Sequence, residues 1–252
     1  MAQLYMNGQF TDENDARVSP FDRGFLYGDG LFETIRADRG TVEFLDEHIQ
    51  RLTGSAAALN ITVPDTDWEN IIARLISLNG LEQETARVKI LITRGTEPGL
   101  HLGQGTSPTL IITAAEHISG KKPERIGIYP EKRLDPVSRH KSLNYLFNLQ
   151  ARDWALRNGL DEAVLTGSSG EILECAASNI FIEREGTIIK PLNEGYYLEG
   201  VMGNHFIHTK KEEGIPVKEE RIFPENIQDG DTVYITNSMI GVCEVTLVDR
   251  DQ

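Results

Sequence analysis

Two kinds of hydrophobic pattern alternate along this chain. Some segments have apolar residues at helical spacing, and others are short apolar runs typical of strands. A period near 3.6 residues predicts an amphipathic helix beginning at Asp46, whose side chain can cap the first turn. The apolar positions of this helix are Leu45, Ile49, Leu52, Ala56 and Leu59. Further helices are predicted over residues 67–79, 144–158 and 204–213, and each of these segments is followed by a glycine.

Short runs rich in β-branched residues predict strands between the helices. Asn7-Gly8 and Asp38-Arg39-Gly40 are typical of hairpin turns. The predicted strands are 4–6, one from residue 11, 32–36, 41–44, 87–93, 108–113, 125–129, 162–166, 179–183, 187–190, 232–236 and 242–248. Interspersed helices and strands, without an internal repeat, predict an α/β (α+β) fold.

One polar segment that contains glycine and ends in proline, from His117 to Pro123, is the best candidate for a linker. It predicts an N-terminal α+β domain over residues 1–116, a linker over 117–124 and a C-terminal domain over 125–252. The chain is long enough to bury a core in each part.

The chain is acidic, with 39 acidic and 25 basic residues and a formal net charge of −14. Nucleic acids and anionic membrane surfaces attract an excess of lysine and arginine, so both classes of partner are excluded. No apolar run of about 18 residues predicts a membrane helix, and the first residues do not resemble a secretory signal. Cys175 and Cys243 form no metal or disulfide pattern, which favours a cytoplasmic location. An anionic ligand would need a local basic pocket.

One lysine lies beside cationic neighbours, in Arg139-His140-Lys141-Ser142. A lysine attacks a carbonyl only as the free amine, and its ordinary pKa near ~10.4 leaves little of that form at neutral pH. Neighbouring positive charge and burial both lower the pKa of a lysine, so this position suits a Schiff base. Downstream, Glu174 precedes a predicted apolar strand. A carboxylate facing the pyridine nitrogen of pyridoxal 5'-phosphate (PLP) makes that ring an electron sink.

Three other segments offer ligands for a phosphate. Arg51 lies on the first long helix in a polar stripe with His48 and Ser55, and its guanidinium can form two hydrogen bonds to an oxyanion. Gly200-Val201-Met202-Gly203 precedes a predicted helix, and helix N-terminal amides bind anions. Thr236-Asn237-Ser238 ends a strand with hydroxyl and amide groups. Each segment alone also fits an ordinary surface helix or turn.

Five segments, in order, resemble those of fold-type-IV PLP enzymes, the class IV family of branched-chain aminotransferases, D-amino acid aminotransferases and aminodeoxychorismate lyases. They are the segments 22–33 (similar to the family's DRG…GDG.(F/Y)E), 47–52 (similar to EHI.RL), 141–144, Glu174 with 178–181, and Gly200-Val201. The resemblance covers nearly the whole chain. It implies a two-domain fold with the active site between the domains, and a homodimer in which one subunit closes the site of the other.

The resemblance also implies roles for individual residues. Lys141 would be the Schiff-base lysine and the acid–base catalyst of the proton shift. Glu174 would pair with the pyridine nitrogen, and Tyr145 would approach the phenolic oxygen of PLP. The other implied cofactor ligands are Arg51, Ser178, Asn179, Val201, Met202 and Ser238, and the implied substrate ligands are Tyr27, Phe32, Arg94 and His101. Arg36, on the strand that contains Phe32, is the alternative partner for a substrate carboxylate.

The first reaction that the resemblance implies is amino transfer between an amino acid, or an amine, and a 2-oxo acid. Two departures from the D-amino acid transaminase pattern are Phe32 in place of tyrosine and the absence of an arginine after Arg94 that would bind a substrate carboxylate. Gly200-Val201-Met202 and Asn237-Ser238 are more similar to aminodeoxychorismate lyase, which releases pyruvate and forms p-aminobenzoate. That lyase reaction is the alternative.

Two other chemistries match parts of the sequence. Ser138-Arg139-His140-Lys141 has the S-x-x-K pattern of penicillin-recognising acyl-enzymes, but Pro136 predicts a loop there and no K-T-G strand occurs. His205 and His208 are spaced for one face of a helix, yet no further ligand lies at a suitable spacing, so no metal site is predicted.

Overall fold

The computed structural model describes residues 2–103, 105 and 107–248, and these residues form two compact units. The first unit extends to Ser119 and also contains Lys141–Asn144. The second unit contains Gly120–His140 and the chain from Tyr145 onward. The segment Lys141–Asn144 therefore leaves its neighbours in the sequence and joins the first unit.

A six-stranded sheet forms the basis of the first unit. Its strands are β1 Gln3–Met6, β2 Gln9–Asp12, β3 Gly30–Asp38, β4 Thr41–Val42, β5 Thr85–Thr93 and β6 Leu110–Glu116. The order across the sheet is β2-β1-β6-β5-β3-β4, and each neighbouring pair is antiparallel. Buried and more accessible residues alternate along most of β5 and the second half of β3, as expected of a sheet with one covered face.

The helices described in the first unit are α1 Arg23–Tyr27, α2 Leu45–Ala58 and α3 Trp68–Leu78. Asp67 caps α3 and accepts a hydrogen bond from the Asn70 amide, as its position predicts. The predicted cap of α2 is wrong. Its N-cap is Phe44, in the left-handed conformation with φ 53°, and Asp46 lies inside the first turn, where a negative charge favours the helix dipole.

The helices α2 and α3 cover the inner face of the first sheet. The hydrophobic core there combines Leu52 and Ala56 of α2 with Ile72, Leu75 and Ile76 of α3. The inward rows of β3, β5 and β6 complete this core. Because the helices cover one face only, the opposite face of the sheet can carry polar and charged side chains.

An eight-stranded mixed sheet forms the basis of the second unit. Its strands are β7 Arg125–Lys132, β8 Glu162–Thr166, β9 Ile172–Cys175, β10 Asn179–Arg184, β11 Thr187–Pro191, β12 Val217–Glu220, β13 Thr232–Asn237 and β14 Gly241–Leu247. The order is β12-β11-β10-β13-β14-β7-β8-β9. The pairs β11/β12, β14/β7 and β7/β8 are parallel, and the remaining pairs are antiparallel.

The long helices of the second unit are α4 Leu146–Arg157 and α5 Val201–Glu212. Helix α5 begins three residues earlier than predicted, so Val201 and Met202 form its first turn rather than the loop before it. The sequence obscures this start because Gly203 has a low helix propensity. No helix within the described residues has both the length and the apolar character needed to cross a membrane.

Candidate active site

Lys141 is held at an open edge of the first sheet. Strand β4 is two residues long and pairs only with the far end of β3, so it leaves the beginning of β3 uncovered. There the Phe32 amide donates to the Lys141 carbonyl at 2.8 Å, and the Leu143 amide donates to the Gly30 carbonyl at 2.9 Å. An uncovered strand edge accepts further backbone pairing. That pairing fixes the backbone that carries the Lys141 side chain.

The Nζ atom of Lys141 lies over an aromatic ring. Its Nζ lies 4.7 Å from the ring centroid of Phe32, a residue that is 8% exposed. Lys89, on the neighbouring strand β5, places its Nζ 5.2 Å from the same centroid. The sum of these distances, 9.9 Å, is the upper limit on the separation of the two Nζ atoms. Burial, and then the charge of Arg87, lower the pKa of Lys89.

Other cations share the outward face of the first sheet. Arg87 precedes Lys89 in the outward row of β5. In the register of the β3/β5 pair, Arg87 lies directly opposite Arg36 of β3. The Nε atom of Arg36 lies 3.3 Å from Glu43 Oε1. This face therefore concentrates positive charge on a chain with a net charge of −14, as an anionic ligand requires. Lys89 stands in no motif of the sequence, although the alternation of β5 places it in the outward row.

Arg51, on α2, is bound side-on by a buried carboxylate. Its Nε donates to Glu33 Oε1 at 2.8 Å, and its Nη2 donates to Glu33 Oε2 at 2.5 Å. The Nδ1 of His48 lies 2.8 Å from the same Glu33 Oε2. Burial alone would raise the pKa of Glu33, but the hydrogen bonds from His48 and Arg51 outweigh burial and lower it. Glu33 is consequently an ionised acceptor in the interior of the first unit.

Arg94 is enclosed by acceptors of the protein itself. Its Nε and Nη2 donate to the two carboxylate oxygens of Asp29 at 2.9 and 3.0 Å. Its Nη1 donates to the carbonyls of Asn60 and Gly103 at 2.7 Å, and Nη2 also donates to the carbonyl of Leu59 at 2.9 Å. These contacts use all five N–H donors of the guanidinium. Arg94 thus connects the segments that contain Asp29, Leu59 with Asn60, and Gly103. It has no N–H donor left for a substrate.

Two other predicted substrate ligands are accessible on the surface of the first unit. Tyr27 is 54% exposed on α1, with the Arg23 guanidinium 5.2 Å from the centroid of its ring. His101 is exposed, and its Nε2 lies 3.8 Å from Glu97 Oε1. Both side chains can therefore be reached by another molecule.

In the second unit, Glu174 of β9 forms a buried ion pair that the sequence motifs do not predict. Arg133, directly after β7, donates from Nη1 to Glu174 Oε1 and from Nη2 to Asn148 Oδ1, the latter at 2.6 Å. Arg133 is 3% exposed and Glu174 is 6% exposed. The Arg133 guanidinium also lies 5.2 Å from the Phe147 ring centroid. An arginine remains protonated in proteins, so Glu174 has a permanent cationic partner.

Tyr145 is bonded to the turn that follows β9. Its hydroxyl donates to the Ala176 carbonyl at 2.9 Å, and Asn148 Nδ2 donates to the same carbonyl at 2.7 Å. Burial, and then the charges of Glu174 and Glu162, raise the pKa of Tyr145 far above its ordinary value. The phenol therefore stays protonated and acts as a hydrogen-bond donor.

Asn237 connects the segments of two predicted cofactor ligands. Its Nδ2 donates to the Ser178 hydroxyl at 3.1 Å and to the Ala177 carbonyl at 3.0 Å. Its Oδ1 accepts hydrogen bonds from the amides of Met239 and Ile240, which directly follow Ser238. Ser178 is buried and Ser238 is half-buried. The side chain of Asn237 thus fixes the turn that contains Ser238 relative to Ser178.

The N-terminus of α5 is shaped by Asn179. Its Oδ1 accepts from the Gly200 amide at 2.8 Å, and its Nδ2 donates to the Leu198 carbonyl at 2.7 Å. The first amide-to-carbonyl bond of α5 ends at the Gly200 carbonyl, so the amides of the first three helical residues have no acceptor inside the helix. Val201 and Met202 contribute two of these amides. Asn179 therefore fixes the start of α5 and uses both of its polar side-chain atoms to do so.

Position 200 leaves little room for a side chain. A Cβ atom there would lie 2.1 Å from Asn179 Oδ1, which is closer than atoms can pack. We expect Gly200→Ala to lower the free energy of unfolding by about 1–3 kcal/mol, because either the hydrogen-bonded Asn179 side chain or the start of α5 must shift. Gly54→Ala on α2 is the matched control, since nothing lies within 4 Å of its added Cβ. Thermal denaturation that gives both variants the same midpoint would contradict this account.

The described residues of each unit provide chemical groups that PLP requires. Lys141 supplies an amine that can react with an aldehyde, and Arg51 supplies a guanidinium for a phosphate. The amides of Val201 and Met202 supply further phosphate donors at a helix N-terminus. Glu174 supplies a buried carboxylate for a protonated ring nitrogen. Each unit by itself therefore carries groups whose chemistry fits part of the cofactor.

Comparison with known proteins finds sequence similarity over nearly the whole chain. A family model described as amino-transferase class IV matches residues 30–248. A Methanocaldococcus jannaschii protein, provisionally named a branched-chain-amino-acid aminotransferase, is 37% identical over 254 residues, covering 98% of this chain and 88% of the relative. The aminodeoxychorismate lyase of Bacillus subtilis is 29% identical over 258 residues, covering 98% and 87%.

Solved structures share the fold of this chain. The crystal structure of the branched-chain aminotransferase from the archaeon Thermoproteus uzoniensis, with norvaline, has a TM-score of 0.90 at 25% identity, covering 98% of this chain and 87% of that one. Another branched-chain amino acid aminotransferase, solved with pyridoxamine 5'-phosphate, has a TM-score of 0.86 at 25% identity, covering 98% and 86%.

Proposed function

We propose that this chain, which belongs to the amino-transferase class IV family, moves an amino group between an amino acid or amine and a 2-oxo acid with PLP as cofactor. The family match confirms the resemblance indicated by the sequence motifs, and the similarity to a solved aminotransferase confirms the mixed α/β fold. One observation carries the proposal: the backbone of Lys141 is fixed at the edge of β3, and its amine lies over Phe32.

In this proposal, Arg51, the amides of Val201 and Met202, and Ser238 hold the phosphate of PLP, and Glu174 pairs with the ring nitrogen. Bound PLP supplies a reactive aldehyde carbon and an electron-accepting ring. Lys141 would take the proton from the α-carbon of the substrate and deliver it to the cofactor carbon that carried the aldehyde, which is general acid–base catalysis.

Three further residues act on these groups. Arg133 holds the carboxylate of Glu174 in one orientation. Tyr145 donates its hydroxyl hydrogen to the Ala176 carbonyl, in the turn directly after the strand that carries Glu174. Asn179 accepts from the Gly200 amide and so keeps the start of α5 in place. The proposal does not include Arg94 as a substrate ligand, because its donors are already used.

Lys89 is the residue best placed to bind a substrate carboxylate. Its ammonium shares the Phe32 ring with Lys141, and it lies on the basic face with Arg36 and Arg87. We expect Lys89→Met to raise KM for the carboxylate substrate about 10- to 100-fold, because it removes one charge-assisted hydrogen bond. We expect a smaller change in kcat, since this contact is made in the ground state as well.

Steady-state kinetics of Lys89→Met are compared with those of Lys218→Met, a change at an exposed lysine of the second unit. The control should have wild-type KM and kcat. A normal KM in Lys89→Met would show that another residue binds the substrate carboxylate, and Arg36 would be the next to be tested.

Transfer of labelled nitrogen tests the proposed function directly. The PLP-loaded protein is incubated with a panel of 15N-labelled D- and L-amino acids and amines, each with an unlabelled 2-oxo acid. Mass spectrometry should find 15N in the amino acid formed from the 2-oxo acid for at least one donor. If no donor transfers its nitrogen, the amino-transfer proposal fails.

The lyase remains a second candidate, because the chain is similar to the B. subtilis enzyme and carries Gly200-Val201-Met202. A lyase would convert 4-amino-4-deoxychorismate to p-aminobenzoate and pyruvate without a 2-oxo acid acceptor. Measuring both products in the absence of an acceptor distinguishes the reactions, because repeated turnover under these conditions requires the lyase.

An apolar patch on the first unit supports the homodimer that the resemblance implies. It consists of large hydrophobic side chains that are 47% to 85% exposed, namely Phe21, Phe25, Leu26, Tyr27 and Leu100. Arg23 Nη1 donates to the Gly99 carbonyl at 2.6 Å and so brings the Leu100 loop to α1. Exposed apolar patches of this kind are usually covered by a partner. We propose that a second copy of the chain covers this one.

Light scattering during size-exclusion chromatography measures the oligomeric state. We expect twice the chain mass of 28.1 kDa for the wild type, and the chain mass itself for Phe25→Ser/Leu100→Ser. Leu78→Ser changes an exposed leucine on α3 and should remain a dimer. A wild-type mass of one chain would contradict the proposal.

A cytoplasmic location is part of the same proposal. Cys175 and Cys243 are both free and buried, so neither forms a disulfide. Free thiols of this kind suit a reducing compartment.

A further inference from the structure

Glu33 is a charged residue in a row of hydrophobic ones. The inward side chains of β3 are Leu31, Glu33, Ile35 and Ala37, and each is at most 1% exposed. A hydrophobic residue at this position would pack against α2 without the desolvation cost of a buried charge. A buried carboxylate in such a row needs a compensating set of hydrogen bonds.

That set consists of donors from a single helix. Arg51 contributes Nε and Nη2, and His48 contributes Nδ1. Because the ionised carboxylate is only an acceptor, the Nδ1 of His48 carries the hydrogen. Glu33 and His48 are each 1% exposed, whereas the Arg51 side chain is 16% exposed. The buried pair thus holds one edge of the guanidinium, and the accessible part of the set belongs to Arg51.

We infer that Glu33 and His48 are positioning residues that orient the Arg51 guanidinium toward a phosphate. The inference rests on the proposed function, in which Arg51 binds the phosphate of PLP. Two donors on one edge of the planar group fix its rotation as well as its position. An oriented guanidinium loses less conformational freedom when the oxyanion binds.

The negative charge of Glu33 and its orienting contact with Arg51 have opposite effects on the affinity for a phosphate. Its negative charge repels the phosphate, so a purely electrostatic role would make Glu33→Gln bind PLP more tightly. The orienting role predicts weaker binding, because the amide nitrogen of glutamine must face a donor of Arg51 or His48. The sign of the change in affinity therefore distinguishes orientation from charge.

The experiment compares the affinity of each apoprotein for PLP with its affinity for pyridoxal, which lacks the phosphate. The proteins are the wild type, Glu33→Gln, Arg51→Ala and the double variant, with Glu47→Gln as a control at an exposed carboxylate of α2. We expect Kd for PLP to rise about tenfold in Glu33→Gln and up to about 100-fold in Arg51→Ala. Pyridoxal affinity should remain unchanged in every variant. The double variant should have the same Kd for PLP as Arg51→Ala alone, because Glu33 acts only through Arg51.

Each other outcome overturns the inference in a recognisable way. Unchanged or tighter PLP binding by Glu33→Gln removes the orienting role while leaving Arg51 as the phosphate ligand. Equal weakening for PLP and pyridoxal means that the substitution disturbs the fold in general. Unchanged PLP binding by Arg51→Ala removes the phosphate role in the proposed function, and the inference with it.

Glu33→Asp provides a second variant should Glu33→Gln fail to fold. It retains the charge but shortens the side chain by one methylene, so the carboxylate can no longer meet both nitrogens of Arg51. We expect the same selective loss of PLP affinity. Wild-type affinity for PLP in Glu33→Asp would show that charge alone is sufficient and would overturn the inference.

Discussion

Replacing Lys141 by alanine is expected to lower kcat for amino transfer by about 10³-fold or more, because the acid–base catalyst of the proton shift is lost. The backbone of this segment pairs with β3 through its own carbonyl and amide groups, which the substitution retains. The variant should therefore stay folded. Kinetics with the donor identified by labelled-nitrogen transfer measure the loss.

Lys121→Ala is the matched control, because Lys121 is an exposed lysine whose side chain contacts only a surface glutamate among the contacts that the structure describes. It should retain wild-type kcat. A small amine added to Lys141→Ala should restore part of the rate, because it can replace the missing base in the space that the side chain vacates. Full activity without an added amine would show that Lys141 is not the base.

The second large effect is on stability. Arg133→Met should lower the free energy of unfolding by about 3–5 kcal/mol, since it leaves the buried carboxylate of Glu174 without its cation. Chemical denaturation of the apoprotein measures this change without any assumption about the cofactor.

Two further variants separate the ion pair from general disruption. Arg133→Met/Glu174→Leu removes both charges, and it should be more stable than Arg133→Met alone. Arg157→Met, which breaks an exposed pair with Asp153 on α4, should change stability by less than about 1 kcal/mol. A double variant as unstable as the single one would mean that Arg133 acts through packing against Phe147 instead.

The sequence predicts those parts of the fold in which local pattern and packing agree. Helix α3 ends within one residue of the prediction, because Asp67 caps it and Gly80 follows it. Strand β9 was missed, since its four residues include a carboxylate and carry no alternation. The membership of Lys141–Asn144 in the first unit was also missed, because it depends on backbone pairing with β3, which lies far earlier in the chain.

The predictable part of the candidate site has the same limit. Lys141, Glu174 and Arg51 stand in motifs and could be named from the sequence. Their partners could not, because each lies far away along the chain. Arg133 is 41 residues from Glu174, and Glu33 is 18 residues from Arg51. Such pairs are created by the packing of strands and helices, and no local periodicity records them.

Covalent trapping tests the central claim most directly, because it identifies the reacting lysine. The PLP-loaded protein is treated with sodium borohydride, which makes an adduct between lysine and the PLP aldehyde permanent, and its peptides are mapped by mass spectrometry. The account predicts one phosphopyridoxyl group per chain, on the peptide that contains Lys141. An adduct on another lysine, or no adduct at all, would contradict it.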